Sequence, residues 1–484
     1  VTVDAGEVWQ RLSPRMLLVH PVHEVLRQIP LLIGSVVLGS ATGNPMWTLF
    51  GLALVVGYGV ARWFTTTYRI DTEQVQMRTG VLQRKVLSVP RNRIRSVSTD
   101  ARLLHRLLGL TVLRVSTGQE AKRDNAFALD AVQAEQVPRL RAILLADSLA
   151  PAEDEASEPG RELARWQPSW LRYSPLSFTG LAMILAAVGL AYQAGVGAAL
   201  QNSRLARSGV DAAERFGVVA SLVVIAVGVL VASVVLSVLR SLVTYGNLVL
   251  RRDADALHLE HGLLRVREQT YDMRRLRGGT LREPLLVRLF GGARLDAVMT
   301  GVDGAGEASL LLPPCPRATA ETVLAELIAQ PEAVTGPLRG HGAVATRRRW
   351  TRALTLPAVL LVAMAAMYSW TPVWLWPVLA VLAACCALLA LDRSRALGHR
   401  VDAQWLVARA GSLDRRRDCI AAAGIIGWTV RQTLLQRRAG VATLIAATAA
   451  GVKGYRVIDV PAELAWTIAG SASPWVADSE WATT

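Results

Sequence analysis

Two textures alternate along the chain. Four stretches carry no Asp, Glu, Lys, Arg or His: Gln28 to Ala61, Tyr173 to Ser203, Phe216 to Leu239 and Ala353 to Leu391. A spanning helix needs about 20 apolar residues, and an Arg at its centre costs about 2.5–3.5 kcal/mol on insertion scales. Phe216–Leu239 fits one span, and 173–203 fits one between Pro175 and Leu200. The stretch 353–391 is too long for one helix; SWTPVWLWP, with Pro372 and Pro377, divides it into two, with tryptophans at the far interface. The stretch 28–61 turns at Gly43 to Pro45, either as two short crossings or as a re-entrant hairpin. The pattern predicts three helical hairpins and six spans.

The other texture has period two. Val75 to Met77 and Val81 to Val89 alternate apolar and polar, as half-buried strands do. IRSVST, LTVLRVSTG and FAL read as further strands, with ARLLHRLLG as a short helical turn among them. DAVQAEQVPRLRAILL then carries Val132, Val137, Leu140, Ile143 and Leu144 at helical spacing. Several antiparallel strands followed by one helix predict a small sheet or open barrel plugged by that helix.

This texture is repeated. With Asp71, Asp253 and Asp402 in register, the next 38 positions align without gaps, and seven columns are identical. They are the Asp; Gly80, Gly262 and Gly411; Leu82, Leu264 and Leu413; Leu103, Leu285 and Leu434; Leu104, Leu286 and Leu435; Arg106, Arg288 and Arg437; and Gly109, Gly291 and Gly440. A shared structural unit explains them. The Asp suits a turn, and the first Gly permits positive φ between strands. The Arg is expected to pack or salt-bridge to hold the module, since three copies serve a fold more naturally than three active sites.

The residues VLQRKVLSVPRNRIRSVSTDARLLHRLLGLTVLRVSTG resemble the core of the bacterial pleckstrin-homology-like (PH-like) domain of YdbS/YdbT-type membrane proteins. Pro90, Arg93, Ile94, Leu103, Leu104, Arg106, Leu107 and Gly109 carry the resemblance. The second copy keeps Arg275, Leu276, Leu285, Leu286, Arg288, Leu289 and Gly291, with Asp272 in place of the Pro. The third has Ala421, Gly424 and Ile425 where the Pro-x-x-Arg-Ile element stood, and reads as degenerate. The resemblance implies an α+β membrane protein with three PH-like modules at the inner membrane face. It also implies a role in envelope maintenance and a small companion carrying a single such module.

The expected layout is an N-terminal segment and hairpin over 1–63, a module over 64–148, a linker over 149–172, a hairpin over 173–243, and a module over 244–330. A second linker over 331–350, a hairpin over 351–395, and a third module with a tail over 396–484 complete it.

Charge then sets orientation. The chain has 484 residues, 52% apolar, with a net charge of +15. Of 53 Lys and Arg, only Arg204, Arg207 and Arg215 fall in the predicted outer loops. The other side is therefore expected to be the cytoplasm, with both termini and all modules there. The first 25 residues hold charges and prolines rather than a signal-peptide core.

Catalytic motifs are missing. No phosphate-cradling GxxxxGK[ST], no GxGxxG after a strand and no GxSxG is found. HPVHE, His20 to Glu24, lacks helical i, i+4 histidine spacing. Cys315, Cys385, Cys386 and Cys419 have no metal or redox spacing. Neither enzyme activity, cofactor, metal nor disulfide is expected. The basic residues lack interleaved aromatic platforms, so nucleic acid is not an expected partner. Arg84, Lys85, Arg91, Arg93 and Arg95, and again Arg274, Arg275 and Arg277, form basic rows suited to anionic lipid or an acidic partner. The same rows also suit solvated positive-inside charge. A scaffold binding a companion, or itself, is the expected function. The alternative is a lipid-handling or transport protein with substrate moving between the hairpins.

Overall fold

A computed structural model describes residues 9–11, 46, 53, 57, 61, 64–71, 73–80, 84–91, 94, 96–116, 127–145, 160–177, 179–193, 217–301 and 309–477. The first expected hairpin lies outside the described residues apart from isolated positions, so its crossing or re-entrant form is not addressed.

Each repeat supplies two short antiparallel half-sheets. The first repeat gives β2 (Thr67–Ile70), β3 (Gln74–Thr79) and β4 (Lys85–Pro90), with β1 (Gln10–Arg11) added outside β2. It then gives β5 (Ser96–Arg102), β6 (Leu110–Ser116) and β7 (Phe127–Gln133). The second gives β9 (Val249–Asp253), β10 (Ala256–His261) and β11 (Arg265–Asp272), edged by β8 (Arg161–Arg165). Its later half is β12 (Leu276–Pro284), β13 (Gly292–Met299) and β14 (Leu310–Pro316). The third gives β15 (Gly398–Val401), β16 (Trp405–Ala410) and β17 (Asp414–Ala421), then β18 (Ile425–Arg431), β19 (Val441–Thr448) and β20 (Gly454–Pro461).

The half-sheets do not close into one barrel per repeat. Instead, they join across repeats. One sheet runs β7-β6-β5-β11-β10-β9-β8 and another runs β14-β13-β12-β17-β16-β15. Two sheets remain open at the ends of the series: β1-β2-β3-β4 and β18-β19-β20. Of the expected small sheet or open barrel in each repeat, the sheets are found and barrel closure is not, and two of the sheets are shared between repeats. The chain divides into two compact units, Val1–Trp166 with Val243–Arg275, and Gln167–Leu242 with Leu276–Thr484. The cut falls inside the second repeat.

Within the first unit, Tyr68, Val75 and Val89 of one half-sheet pack with Val97, Leu113, Phe127 and Leu129 of the other. Val137 and Leu144, from the Val137–Leu145 helix, complete that core. Period-two alternation has done what it should: one face of each sheet is dry and the pair is plugged by an amphipathic helix. The second unit holds an equivalent core of Leu406, Ala408 and Ile420 with Ala442, Leu444 and Ala446, covered by the Ala465–Ala472 helix.

Among the described residues, three helices are long and apolar enough to cross a membrane: Val219–Tyr245, Gly342–Ala366 and Leu375–Ala396. Pro168–Ser177 and Gly180–Gly189 make a fourth if that pair, bent by 49°, counts as one span. Two of the six expected spans, those of 28–61, lie outside the described residues; of the other four, three are found as continuous helices, and the fourth only as the bent pair in the stretch 173–203. Its regular helix, Thr179–Gln193, has 15 residues, and a 3-10 segment containing Pro175 precedes it; Pro lacks the N–H a continuous helix would need. Gly180 lets this helix approach the next closely: its N–H donates to Ser237 Oγ at 2.8 Å, and an added Cβ would sit 2.0 Å from the Ser233 carbonyl. The third hairpin turns at Tyr368–Trp370, where Trp370 is exposed, and its two helices pack together. The 149–172 linker contains β8, and the 331–350 linker contains the Pro331–Thr335 helix and the start of the next one.

Candidate functional site

The repeat residues converge on the junctions between repeats. Asp402 is a turn residue: its carboxylate accepts from the Gln404 and Trp405 amides at 2.9 and 2.7 Å. Gly80, Gly262 and Gly411 have φ of 122°, 107° and 104°, in the hairpin between the second and third strands of each repeat. That hairpin presents its last strand to the repeat before it.

Both presentations use one register. In the first junction β5 pairs with β11, from Ser96 opposite Tyr271 to Arg102 opposite Arg265. In the second β12 pairs with β17, from Gly278 opposite Ile420 to Pro284 opposite Asp414. Counted from each repeat's Asp, the position 25 residues on faces the position 18 residues on in the next repeat, in both cases. A one-residue slip would turn every side chain to the other face, so a register used twice is a specified one.

Charge pairs fix each junction. In the first, Arg265 donates to Asp100 through both Nε, at 2.5 Å, and Nη2, while Arg114 lies 3.4 Å from the same carboxylate. Burial would raise the Asp100 pKa, but Arg265, Arg114 and Arg267 together hold it below the usual value. The repeated Arg106 reaches the Leu263 carbonyl at 3.1 Å. In the second junction Thr280 donates to Asp418 at 2.7 Å, Arg415 lies 3.8 Å from Glu283, and the Leu285 N–H donates to the Leu413 carbonyl at 2.7 Å. The repeated Arg288 pairs with Asp392 at 2.8 Å, and Arg415 with the same Asp392 at 2.6 Å. Arg106 and Arg288 thus reach across to the following repeat rather than holding their own.

Asp392 is the first charge after the apolar run of the Leu375–Ala396 helix. The partner helix, Gly342–Ala366, is tied at its other end of the hairpin: Arg348 and Arg349 both meet Asp459, which is fully buried and also accepts from Gln436 at 2.6 Å. Arg348 also donates to the Leu435 carbonyl at 2.7 Å. Both feet of the third hairpin are therefore bonded into the sheets. Sequence reading missed Asp392 and Asp459. The position of Asp392 at the edge of an apolar run was a usable signal. Asp459, with φ of 56° in the middle of β20, gave none.

A cavity of about 510 Å³ opens beside the second junction, lined among others by Thr280, Arg282, Asp296, Asp414, Asp418 and Tyr455. Burial raises the pKa of Asp296, against the pull of Arg294 and Arg282. Burial likewise raises that of Asp418, against its hydrogen bond from Thr280. The described residues contain no group of three or more His, Cys, Asp or Glu that could hold a metal.

The basic rows are dispersed. Arg84 and Lys85 are exposed, whereas Arg91 is buried; Arg93 and Arg95 lie outside the described residues. Arg274 is exposed and Arg275 half-buried, and both pair with Asp272, at 3.2 and 3.4 Å. Arg277 is half-buried and packs where a Cβ on Gly424 would stand. The four cysteines carry no disulfide.

No curated protein and no solved structure matches the chain. A family model described as bacterial PH domain matches residues 24–148, 183–331 and 352–471. Each match spans a charge-free stretch of sequence and the two half-sheets that follow it, and together they cover well over half of the sequence. The chain belongs to the bacterial PH domain family.

Proposed function

We propose that the chain is a non-enzymatic scaffold of the bacterial cytoplasmic membrane, of the YdbT type, holding its PH-like modules at the cytoplasmic face. The observation that carries this reading is the bonding of both feet of the third hairpin into the sheets, through Asp392 and Asp459. Anchors tied in this way hold a binding surface at fixed height and raise its effective concentration for a multi-point partner. The lopsided distribution of Lys and Arg supports the orientation. Exposed Arg84, Lys85 and Arg274 add attraction to anionic headgroups, at about 1 kcal/mol for each residue near the surface. The partner is a small membrane protein carrying one such module, and the broader role is envelope maintenance.

Purification in gentle detergent, with mass spectrometry of proteins and lipids, tests the proposal. A stoichiometric membrane-protein partner is the expected result. One enriched lipid and no protein would replace the scaffold with lipid handling between the hairpins.

A further inference from the structure

The cavity beside the second junction is built on one face of one sheet. Thr280 on β12 stands opposite Asp296 of β13 on one side and opposite Asp418 of β17 on the other. Two residues further along β12, Arg282 stands opposite Arg294 and Arg416. Residues two apart on a strand share a face. A row with two acids therefore lies beside a row of three arginines, about 6.6 Å away along the strands. Like charges directly opposite destabilise a strand pair, so the arginine row is a cost to the sheet rather than its support.

The polar atoms around this cavity are incompletely matched. Asp296 is only 3% exposed, and its Oδ1 accepts from Arg294 at 2.8 and 3.0 Å. Its Oδ2 receives no hydrogen bond, and Arg282 Nε, 3.3 Å away but misaligned, makes none either. Asp414 Oδ1 is likewise buried and unbonded. Asp418 accepts from Thr280 but has no ion pair among the described residues, and burial raises its pKa against the pull of Arg416 and Arg282. Arg456 of β20 is exposed, and its guanidinium has no partner among the described residues. All of these side chains but Arg294 line the cavity. Buried polar atoms are nearly always bonded, so a concentration of exceptions around one cavity marks a binding site rather than a packing defect.

We infer that this cavity binds a short aminoalkyl phosphate, its ammonium group between Asp296 and Asp418 and its phosphate toward Arg282, Arg416 and Arg456. The inference goes beyond the scaffold reading and does not depend on it. The lining holds three Asp and three Arg, so a cation alone meets the arginines and an anion alone meets the aspartates. A molecule carrying both signs suits both rows. An ammonium group has three donors, enough for Asp296 Oδ2 and Asp418 together. Phosphate oxygens accept from several guanidinium forks at once. An α-amino acid holds both charges on one carbon and is too short for two rows. The volume of about 510 Å³ is within the usual range of small-molecule sites. A free compound and the headgroup of an aminophospholipid offer the same chemistry. Arg415, between Asp414 and Arg416 on β17, points to the other face and meets Asp392, so the cavity lies one sheet thickness from the foot of the third hairpin.

Calorimetric titration of the full chain with ethanolamine phosphate, in nanodiscs of phosphatidylglycerol alone, tests this. Saturable binding is expected, with ethanolamine and inorganic phosphate each weaker by about tenfold or more. Asp418→Asn keeps an acceptor for Thr280 and should weaken binding about tenfold or more. Arg456→Gln, at an exposed position that folding tolerates, should weaken it about threefold and keeps the test open if Asp418→Asn does not fold. Asp402→Asn, away from the cavity, should change nothing. Phosphatidylethanolamine added to the discs identifies the source: the apparent affinity falls if the lipid headgroup takes the cavity and holds if a soluble compound does. Absence of saturable binding overturns the inference. Equal binding of ethanolamine or phosphate alone overturns it in favour of a simple cation or anion site, and unchanged affinity in both cavity variants places the ligand elsewhere and overturns it as well.

Discussion

Arg288 meets Asp392 at 2.8 Å, so the repeated arginine of one PH-like module closes on the foot of the next module's hairpin. Arg415 meets the same carboxylate at 2.6 Å. Both guanidiniums are largely covered, with 13% and 17% of their side chains exposed. Removing the acid leaves two covered cations without their main partner.

Asp392→Asn is therefore expected to cost about 1–3 kcal/mol, the range for charge-assisted bonds at a partly buried site. Thermal denaturation in detergent micelles should show a clearly lower midpoint. Asp402→Asn is the contrast. That Asp caps an exposed turn by accepting two backbone N–H bonds, which an Asn carbonyl also does. Its midpoint should hardly move. Equal losses in the two variants would refute the bridging role of Asp392.

The two glycines of the repeat separate in the same way. Gly411 has φ of 104°, and a Cβ there would lie 2.3 Å from the Asp414 carbonyl oxygen. Gly440 has φ of 65° and nothing within 4 Å of an added Cβ. Asn tolerates the second conformation but cannot relieve the first collision. Gly440→Asn is expected to cost about 1 kcal/mol, and Gly411→Asn distinctly more. Denaturation midpoints for the pair give the order.

These same positions explain what the sequence could and could not disclose. The Asp-to-Gly spacing announced a hairpin because the turn is local: its φ is decided by the residues in it. The Pro372 and Trp370 turn of the third hairpin was legible for the same reason. The sharing of sheets was not. β11 and β17 show the same alternation whichever strand they pair with, so nothing local in Arg265–Asp272 says that its neighbour is β5 of the previous repeat. The role of Arg106 and Arg288 was hidden with it, since an arginine identical in three copies looks structural whether its partner lies inside the repeat or beyond it. Of the spans expected within the described residues, the one found broken is where an apolar run was taken as continuous helix. The charge-free stretch around Pro175 satisfies composition but breaks the backbone ladder.

The shared register predicts a specific crosslink. Ser98 and Gln269 stand opposite one another across β5 and β11, and both are half-buried. Opposed residues in antiparallel strands have Cα atoms about 4.5–5.5 Å apart, within disulfide reach. Ser98→Cys with Gln269→Cys, with the outlying Cys385 and Cys386 replaced by Ser, should form an intramolecular disulfide on mild oxidation. Ser98→Cys with Glu268→Cys should not, because Glu268 points to the other face. The two products are distinguished by non-reducing peptide mapping. Efficient crosslinking of the Glu268 pair would mean a slipped register.

The last prediction concerns acid. His399 and His341 are both buried, with His399 Nδ1 2.9 Å from His341 Nε2, and His341 Nδ1 2.7 Å from the Ile458 carbonyl. A carbonyl only accepts, so His341 carries its proton on Nδ1 and its Nε2 accepts from His399 Nδ1–H. Both rings are neutral in this chain of bonds. Burial pushes the His399 pKa down to about 4, helped by His341 and Arg339; burial and Arg349 lower that of His341, against the Ile458 carbonyl and Asp459. The folded state thus refuses protons that the unfolded chain takes up below its ordinary value of about 6.5. The contribution is fully present above that value and is lost as pH falls toward 4. Asp100 and Asp459, whose pKa values are lowered, lose their contributions only at more acidic pH. Asp296 and Asp418, whose values burial raises, act in the opposite sense, because protonation relieves a buried charge. A difference measurement isolates the histidines. Thermal midpoints of the native chain and of His399→Gln, taken between pH 7.5 and pH 4.5 (a window of about 3 units that covers most of the fall), should diverge, with the native chain falling more steeply. Parallel curves would place the proton uptake elsewhere and leave the histidine pair a purely structural contact.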